Sequence, residues 1–141
     1  MEQTIDIIIN NNFNKTTREL SITTTIHALT ELEGNYSLCL FIMEDGIISP
    51  QLDGVEYIED YIHNHIYRCP VNDTYGEALN TALTPDSKPI IKIYNIVFDT
   101  SNNMHWTDDW DNIANCHVVA YIYNTDTGII EQVSEKRIYN E

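Results

Sequence analysis

His63 and His65, within the stretch YIHNHIYRC at residues 61–69, are the residues whose types and spacing most directly suggest chemistry. On an extended strand, residues i and i+2 lie on the same face, about 7 Å apart. Two imidazoles in that arrangement can bind one zinc or other transition-metal ion, provided that a third and usually a fourth ligand complete the site. The spacing therefore predicts a metal site at His63 and His65, with His117, His105 or loop carboxylates as candidate further ligands.

A structural role is the alternative for the same stretch. In this interpretation the two histidines and Tyr67 form a half-exposed polar face, while Ile62 and Ile66 point into the core. Arg68 then reaches solvent or pairs with a carboxylate such as Glu77. We favour this interpretation, because the sequence places no third metal ligand beside the histidine pair.

Catalytic arrangements are disfavoured. Cys69 and His65 share a strand face but lie about 13 Å apart along it, whereas a nucleophile and its base must approach to about 3 Å. The sequence contains no GxSxG elbow, P-loop or glycine-rich dinucleotide fingerprint. We therefore predict that the protein is not an enzyme and needs no cofactor, with zinc or calcium as the candidates if a metal is bound.

The segment HWTDDWDN, residues 105–112, is the second candidate for ligand binding. Its aspartates offer the hard oxygen atoms that calcium prefers, but their spacing is not that of an EF-hand, so we expect a solvated acidic loop. Trp106 and Trp110 offer an aromatic platform for a sugar or a peptide, although Trp110 also suits a core position. A carbohydrate-binding module that uses Trp106 and Trp110 is thus an alternative function.

Length, composition and charge restrict the class of protein. A chain of 141 residues with 43% hydrophobic and 21% charged residues predicts one globular domain, residues 1–141. The net charge of −15 repels nucleic-acid phosphates and anionic lipid headgroups. No apolar run reaches the roughly 18–20 residues of a membrane-spanning helix, and the first residues do not resemble a signal peptide. We therefore expect neither a nucleic-acid partner nor a membrane-spanning segment.

The cysteines do not form a recognisable framework. Cys39, Cys69 and Cys116 are odd in number, far apart in sequence and without CxxC spacing. We predict that they are buried free thiols on strands.

Isoleucine, valine, threonine and tyrosine dominate the sequence, which favours strands over helices. Residues 17–28 alternate most clearly, with Leu20, Ile22, Thr24 and Ile26 on one face. An Asn-rich break is predicted at 10–14 and a loop at 45–54. Further strands are predicted at 3–9, 36–44, 59–68, 90–98, 116–123 and 129–138. Seven or eight strands at this spacing predict an all-β, immunoglobulin-like antiparallel β-sandwich with Greek-key connections, a barrel being the main alternative.

Several segments, taken in order, resemble those of a known family. They are LCLFIMED (38–45), Gln51, YIHNHIYR (61–68), GEAL (76–79), Trp110 followed by Asn115, HVVAYIYN (117–124) and EQVSEKRI (131–138). Over about residues 36–138 this series is similar to the C-terminal β-sandwich of the 28-kilodalton outer-membrane-protein-related family of Bacteroidetes lipoproteins.

The resemblance implies an immunoglobulin-like module of an exported lipoprotein, periplasmic or associated with the outer membrane. A thioredoxin-like domain commonly precedes the sandwich in that family, but these 141 residues contain no CxxC and no room for it, so redox activity is not carried over. No lipobox cysteine lies near residue 1. We therefore expect a non-enzymatic interaction or structural module of the bacterial cell envelope that binds a protein or glycan partner.

Overall fold

The structure is a computed structural model of the chain. It describes residues 3–45, 47–53, 56–63, 66–80, 83–98 and 115–138, with the backbone alone for 47–53, 56–63 and 66. No helix among these residues is long and apolar enough to cross a membrane.

The described residues form ten β-strands. They are β1 (Ile5–Asn14), β2 (Glu19–Ala28), β3 (Tyr36–Glu44), β4 (Ile47–Asp53), β5 (Glu56–His63), β6 (Ile66–Pro70), β7 (Glu77–Ala78), β8 (Ile90–Val97), β9 (Cys116–Asn124) and β10 (Ile130–Arg137).

Eight of these strands form two antiparallel sheets. A three-stranded sheet has the order β1-β2-β8, and a five-stranded sheet has the order β10-β9-β3-β6 with the short β7 also paired to β3. The remaining two strands, β4 and β5, form a separate antiparallel pair. The prediction of an all-β antiparallel sandwich is confirmed, since the described strands of the two sheets do not join into one closed barrel.

The core lies between the two sheets and follows from the alternation of apolar residues. In β2 the predicted inward face is confirmed, because Leu20, Ile22, Thr24 and Ile26 are almost fully buried. From the five-stranded sheet, the matching apolar residues are Leu38, Leu40, Ile42, Val118, Ala120 and Ile122. Complete burial of each large aliphatic side chain contributes roughly 1.5–3 kcal/mol to folding.

The predicted Asn-rich break at 10–14 is wrong, because β1 continues to Asn14 and pairs with β2 along its whole length. The apolar alternation continues through the asparagines, with Ile9 and Phe13 buried in the core. The asparagines between them lie on more exposed positions of the same strand. Burial of the apolar side chains on the inward face of the strand therefore outweighs the local turn propensity of the asparagines.

The predicted single strand at 59–68 and the predicted loop at 45–54 are also corrected. The loop contains β4, which pairs with β5 up to His63. The chain then enters β6 at Ile66, which pairs with β3 in a different sheet. Apolar and polar residues continue to alternate in the sequence across this change of sheet, so the alternation does not indicate where β5 ends and β6 begins.

A polar contact between the two sheets explains part of the GEAL segment. Glu77 of β7 lies 2.6 Å from Lys92 Nζ of β8 and accepts a 2.7 Å hydrogen bond from the Tyr94 hydroxyl. The hydrogen bonds from Lys92 and Tyr94 lower the pKa of Glu77 below its ordinary value of 4.5. The carboxylate thus joins the short β7 to β8 of the other sheet.

This contact predicts a pH-dependent stability. The pKa of Glu77 is lower in the folded than in the unfolded state. The ionised side chain therefore stabilises the fold at pH values above its unfolded-state pKa, and this stabilisation is lost as the pH falls through its folded-state pKa. We expect Glu77→Gln to lower the free energy of unfolding by about 1 kcal/mol at neutral pH, a small figure because the site is partly exposed. Urea denaturation as a function of pH measures it.

The difference between wild type and Glu77→Gln should disappear in acid. Glu31→Gln removes an exposed carboxylate elsewhere and serves as the control. An equal loss at every pH, or an equal loss in the control, would contradict the assignment.

Candidate functional site

The structure does not describe the side chains of the predicted site residues. His65, Trp106 and Trp110 are outside the described residues, as is His105, and His63 is described only as the last backbone position of β5. The metal site at His63 and His65 and the sugar platform at Trp106 and Trp110 therefore remain predictions. Among the described residues, no group of three or more histidine, cysteine, aspartate or glutamate side chains is placed to hold a metal ion.

His117 lies on the outer face of the five-stranded sheet. The sequence places it on one face of β9 with Val119, Tyr121 and Tyr123, and the structure agrees, since the alternate residues of β9 belong to the core. Its Nε2 atom is 3.1 Å from Asp45 Oδ2. The imidazole therefore has a carboxylate partner at the end of β3.

An aromatic row crosses this outer face. It consists of Tyr67 from β6, Phe41 from β3, and Tyr121 and Tyr123 from β9. Neighbouring ring centroids are 5.4, 6.2 and 6.0 Å apart in that order. These distances are typical of favourable aromatic contacts. The four rings thus form one continuous strip, and Tyr67 at its end is 57% exposed.

The loop between β6 and β7 forms one wall beside the aromatic row. Asn72 in this loop accepts from the backbone N–H of Leu40 at 3.1 Å and donates to the carbonyl of Leu38 at 2.8 Å. The Asn72 amide thereby takes the place of a neighbouring strand, because it hydrogen-bonds the backbone of β3 between the stretches that pair with β6 and with β7. The Tyr123 hydroxyl donates to the carbonyl of Tyr75 at 2.5 Å, which holds the far end of the loop over β9.

Two adjoining cavities lie between this loop and the sheet. The larger, about 350 Å³, is lined by Thr74, Tyr75, Tyr121, Tyr123, Gly128 and Ile130. The smaller, about 270 Å³, is lined by Cys39, Leu40, Phe41, Tyr67, Pro70, Asp73, Thr74 and Tyr121. Because the two share Thr74 and Tyr121, we treat them as one elongated groove and call it the outer groove.

Two neighbouring groups of the outer groove, the Tyr121 hydroxyl and the Cys39 thiol, are held in their neutral forms. Tyr121 hydrogen-bonds to the Cys39 thiol, and this bond, with burial, raises the pKa of Tyr121 to about 12. Burial also raises the pKa of Cys39. Asp73 is the one carboxylate-bearing residue among the described residues that line the groove.

A buried charged cluster lies at the end of the core. Arg68 Nε is 3.9 Å from Glu44 Oε1, with side-chain exposures of 7% and 2%. The Cys116 thiol donates to the same carboxylate oxygen at 3.6 Å. The expectation that Arg68 pairs with a carboxylate is confirmed, but the partner is Glu44 rather than Glu77 and the side chain is buried rather than in solvent, because the irregular pairing of β6 with β3 brings Arg68 to Glu44.

The prediction of buried free thiols is confirmed for all three cysteines. Burial raises the pKa of the Cys69 thiol to about 12. Burial, together with the neighbouring Glu44, also raises the pKa of the Cys116 thiol. Such thiols are protonated and poorly nucleophilic at neutral pH.

Comparisons with known proteins identify a family and a similar fold. Residues 1–141 match the family described as outer membrane protein Omp28. A solved structure similar to this chain is a crystal structure of a domain of the outer membrane lipoprotein Omp28 from Porphyromonas gingivalis, with a TM-score of 0.67 and 16% sequence identity. The alignment covers 99% of this chain and 91% of that one. At this identity the likeness supports the fold alone, and no curated protein matches the sequence.

Proposed function

The chain belongs to the Omp28 family of outer membrane proteins, and on this premise we propose that it is a non-catalytic binding module that holds an extended segment of a partner protein in the outer groove. Association with the outer membrane follows from the family. The related domain from P. gingivalis is part of an outer membrane lipoprotein, and we propose the same setting for this chain.

The aromatic row is the observation that carries the proposal. The outward face of an antiparallel sandwich normally meets water and is polar. Here the outward face presents Tyr67, Phe41, Tyr121 and Tyr123 in ring contact. Tyr67 is exposed and the other three rings are half-buried. Aromatic side chains at the surface are enriched at protein interfaces, where tyrosine contributes a large contact area at low entropic cost.

A protein segment suits the outer groove better than a glycan does. A sugar presents many hydroxyl groups and needs many hydrogen-bond partners when it is bound. In the outer groove, the Tyr123 hydroxyl already donates to the Tyr75 carbonyl, and the Tyr121 hydroxyl is engaged by Cys39. The apolar surfaces of these rings remain for side chains of a partner.

The residues lining the outer groove support a non-catalytic role. All of them belong to the described part of the chain, and they include no histidine or lysine to serve as a base. The Cys39 thiol is held protonated by burial. The lining therefore offers contact surface rather than an activated nucleophile.

A displayed library of random peptides tests this function. The full chain is used as bait, and selected peptides are then measured against Tyr67→Ser and Tyr75→Ser. Both tyrosines are mainly exposed, at 57% and 82%, so their loss leaves the core intact. We expect each substitution to weaken binding about tenfold, the effect of losing an aromatic anchor.

Ile93→Ser is the matched control, since Ile93 is 66% exposed on β8 of the other sheet. It should leave the affinity unchanged. Failure to select any peptide, or peptides that lose affinity in Ile93→Ser but not in the tyrosine variants, would refute the proposal. If the protein instead binds glycans on an array, and this binding requires Tyr67 and Tyr75, the ligand of the outer groove is a sugar and not a protein segment.

A further inference from the structure

The chemistry of the partner segment follows from the charges around the outer groove. The chain carries 22 acidic and only seven basic side chains, a net charge of −15. All seven basic residues are among the described residues, and none of them lines the outer groove. The groove thus contains no cation that would bind an acidic segment or a phosphate.

Several of the basic side chains are held away from the outer groove. Arg68 is buried beside Glu44, Lys92 is paired with Glu77 across the two sheets, and the Arg18 guanidinium lies over the Phe13 ring, 5.9 Å from its centroid. Rotation of these three side chains into the groove would break the contacts that they make.

Acidic groups, by contrast, are found at and near the outer groove. Asp73 is exposed in its wall. Glu135 of β10 lies opposite Val119 of β9, and residues directly opposite in an antiparallel pair share a face. Val119 lies on the same outer face as Tyr121, so Glu135 adds negative charge beside the aromatic row, whereas the cation on this face of β10, Arg137, lies opposite His117, two residues further from the row.

The aromatic rings act in the same direction as these carboxylates. The face of a tyrosine ring carries the negative part of its quadrupole and attracts an ammonium or guanidinium group within about 6 Å. Tyr75, two residues after Asp73 in the same loop, is 82% exposed and lines the larger cavity with Tyr121 and Tyr123, while Asp73 lines the smaller cavity with Tyr67 and Tyr121. A cation in the groove would therefore meet ring faces and a carboxylate together.

We infer that the partner segment of the proposed function is basic, and that a lysine or arginine side chain lies in the outer groove over the tyrosine rings and beside Asp73. This inference rests on the proposed function and specifies its ligand. An acidic or phosphorylated segment is excluded by the same charges. Because the charges are exposed, the affinity falls as salt is added.

Peptides selected on the full chain provide the test. We expect lysine and arginine to be enriched in those peptides whose binding requires Tyr75. A selected peptide is then compared with its counterpart in which citrulline replaces each arginine and norleucine each lysine, which removes the charge while keeping most of the side-chain bulk. We expect the neutral peptide to bind about tenfold more weakly at low salt.

A pair of variants separates a local effect of charge from the net charge of the protein. Asp73→Asn and Asp86→Asn each remove one exposed carboxylate, but Asp86 lies in the loop before β8, outside the groove lining. We expect Asp73→Asn to weaken the basic peptide about threefold to fivefold and Asp86→Asn to leave it unchanged. Equal effects of the two variants would overturn the inference, since binding would then depend on net charge alone.

The failure of this inference and the failure of the proposed function give different results. If basic and neutral peptides bind equally and both are weakened by Tyr75→Ser, the outer groove is the binding site but its ligand is not basic. If neither Tyr75→Ser nor Tyr67→Ser weakens any selected peptide, the groove is not the binding site and both proposals fail.

Discussion

Replacing Arg68 with methionine is expected to lower the free energy of unfolding by about 3–5 kcal/mol. Glu44 is 2% exposed, and its Oε1 atom lies 3.9 Å from Arg68 Nε in the core. Methionine retains much of the apolar volume of the arginine stem but removes the cation beside this carboxylate. The neutral Cys116 thiol that donates to the same oxygen does not compensate for a buried charge. Urea denaturation followed by circular dichroism measures the loss.

The double substitution Arg68→Met with Glu44→Met is the control for this result. It removes both charges and leaves apolar side chains, a change that is often neutral for a buried pair. We expect the double variant to recover at least about half of the stability that Arg68→Met loses, because the two residues interact directly. If Arg68→Met costs less than about 1 kcal/mol, or if the double variant is less stable than the single one, Arg68 does not compensate Glu44 in the core.

Much of the fold was predictable because one face of each sheet is buried. The predicted strands at 36–44, 90–98, 116–123 and 129–138 correspond closely to β3, β8, β9 and β10. In β8 and β9 the more buried side chains alternate with more exposed ones, so alternation in the sequence reports the structure directly, whereas no residue of β10 is buried. The family inferred from the ordered segments is likewise confirmed by the match over residues 1–141.

The errors arose where a strand changes partner or where a turn-forming residue stays in a strand. Asn10 and Asn12 have turn propensity, yet they lie in β1 because Ile9 and Phe13 are held in the core. The stretch after His63 retains its alternation although β5 and β6 belong to different sheets. Neither the asparagines within β1 nor the change of sheet after β5 alters the local alternation of apolar and polar residues. A single sequence therefore does not indicate either feature.

The outer groove was missed for a related reason. Tyr121 and Tyr123 lie on one face of β9, as the sequence predicts, and Val118, Ala120 and Ile122 on the opposite face belong to the core. The ring contacts with Phe41 of β3 depend on the pairing of strands that are far apart in sequence. A single sequence does not determine that register, whereas the chemistry of histidines and tryptophans is evident from residue type and local spacing alone.

The GEAL segment served as a marker of the family, and the structure supplies a physical role for each of its residues. Gly76 packs against β3, Glu77 joins the two sheets, Ala78 pairs with Ser37, and Leu79 is buried in the core. The segment thus anchors the loop that forms the wall of the outer groove. Its first residue carries the strictest steric demand of the four.

Replacing Gly76 with alanine is expected to lower the free energy of unfolding by about 2–4 kcal/mol. Gly76 has a φ of +86°, and an added Cβ would lie 2.6 Å from both the Leu38 carbonyl oxygen and Cys39 Sγ. The carbonyl belongs to the backbone of central strand β3 and cannot move without disturbing the sheet. Gly128→Ala is the control, since Gly128 has a similar φ of +78° but no atom within 4 Å of its added Cβ, and it should cost only about 1 kcal/mol. Equal losses in the two variants, measured by urea denaturation, would show that close packing of the loop on β3 contributes nothing beyond the backbone conformation.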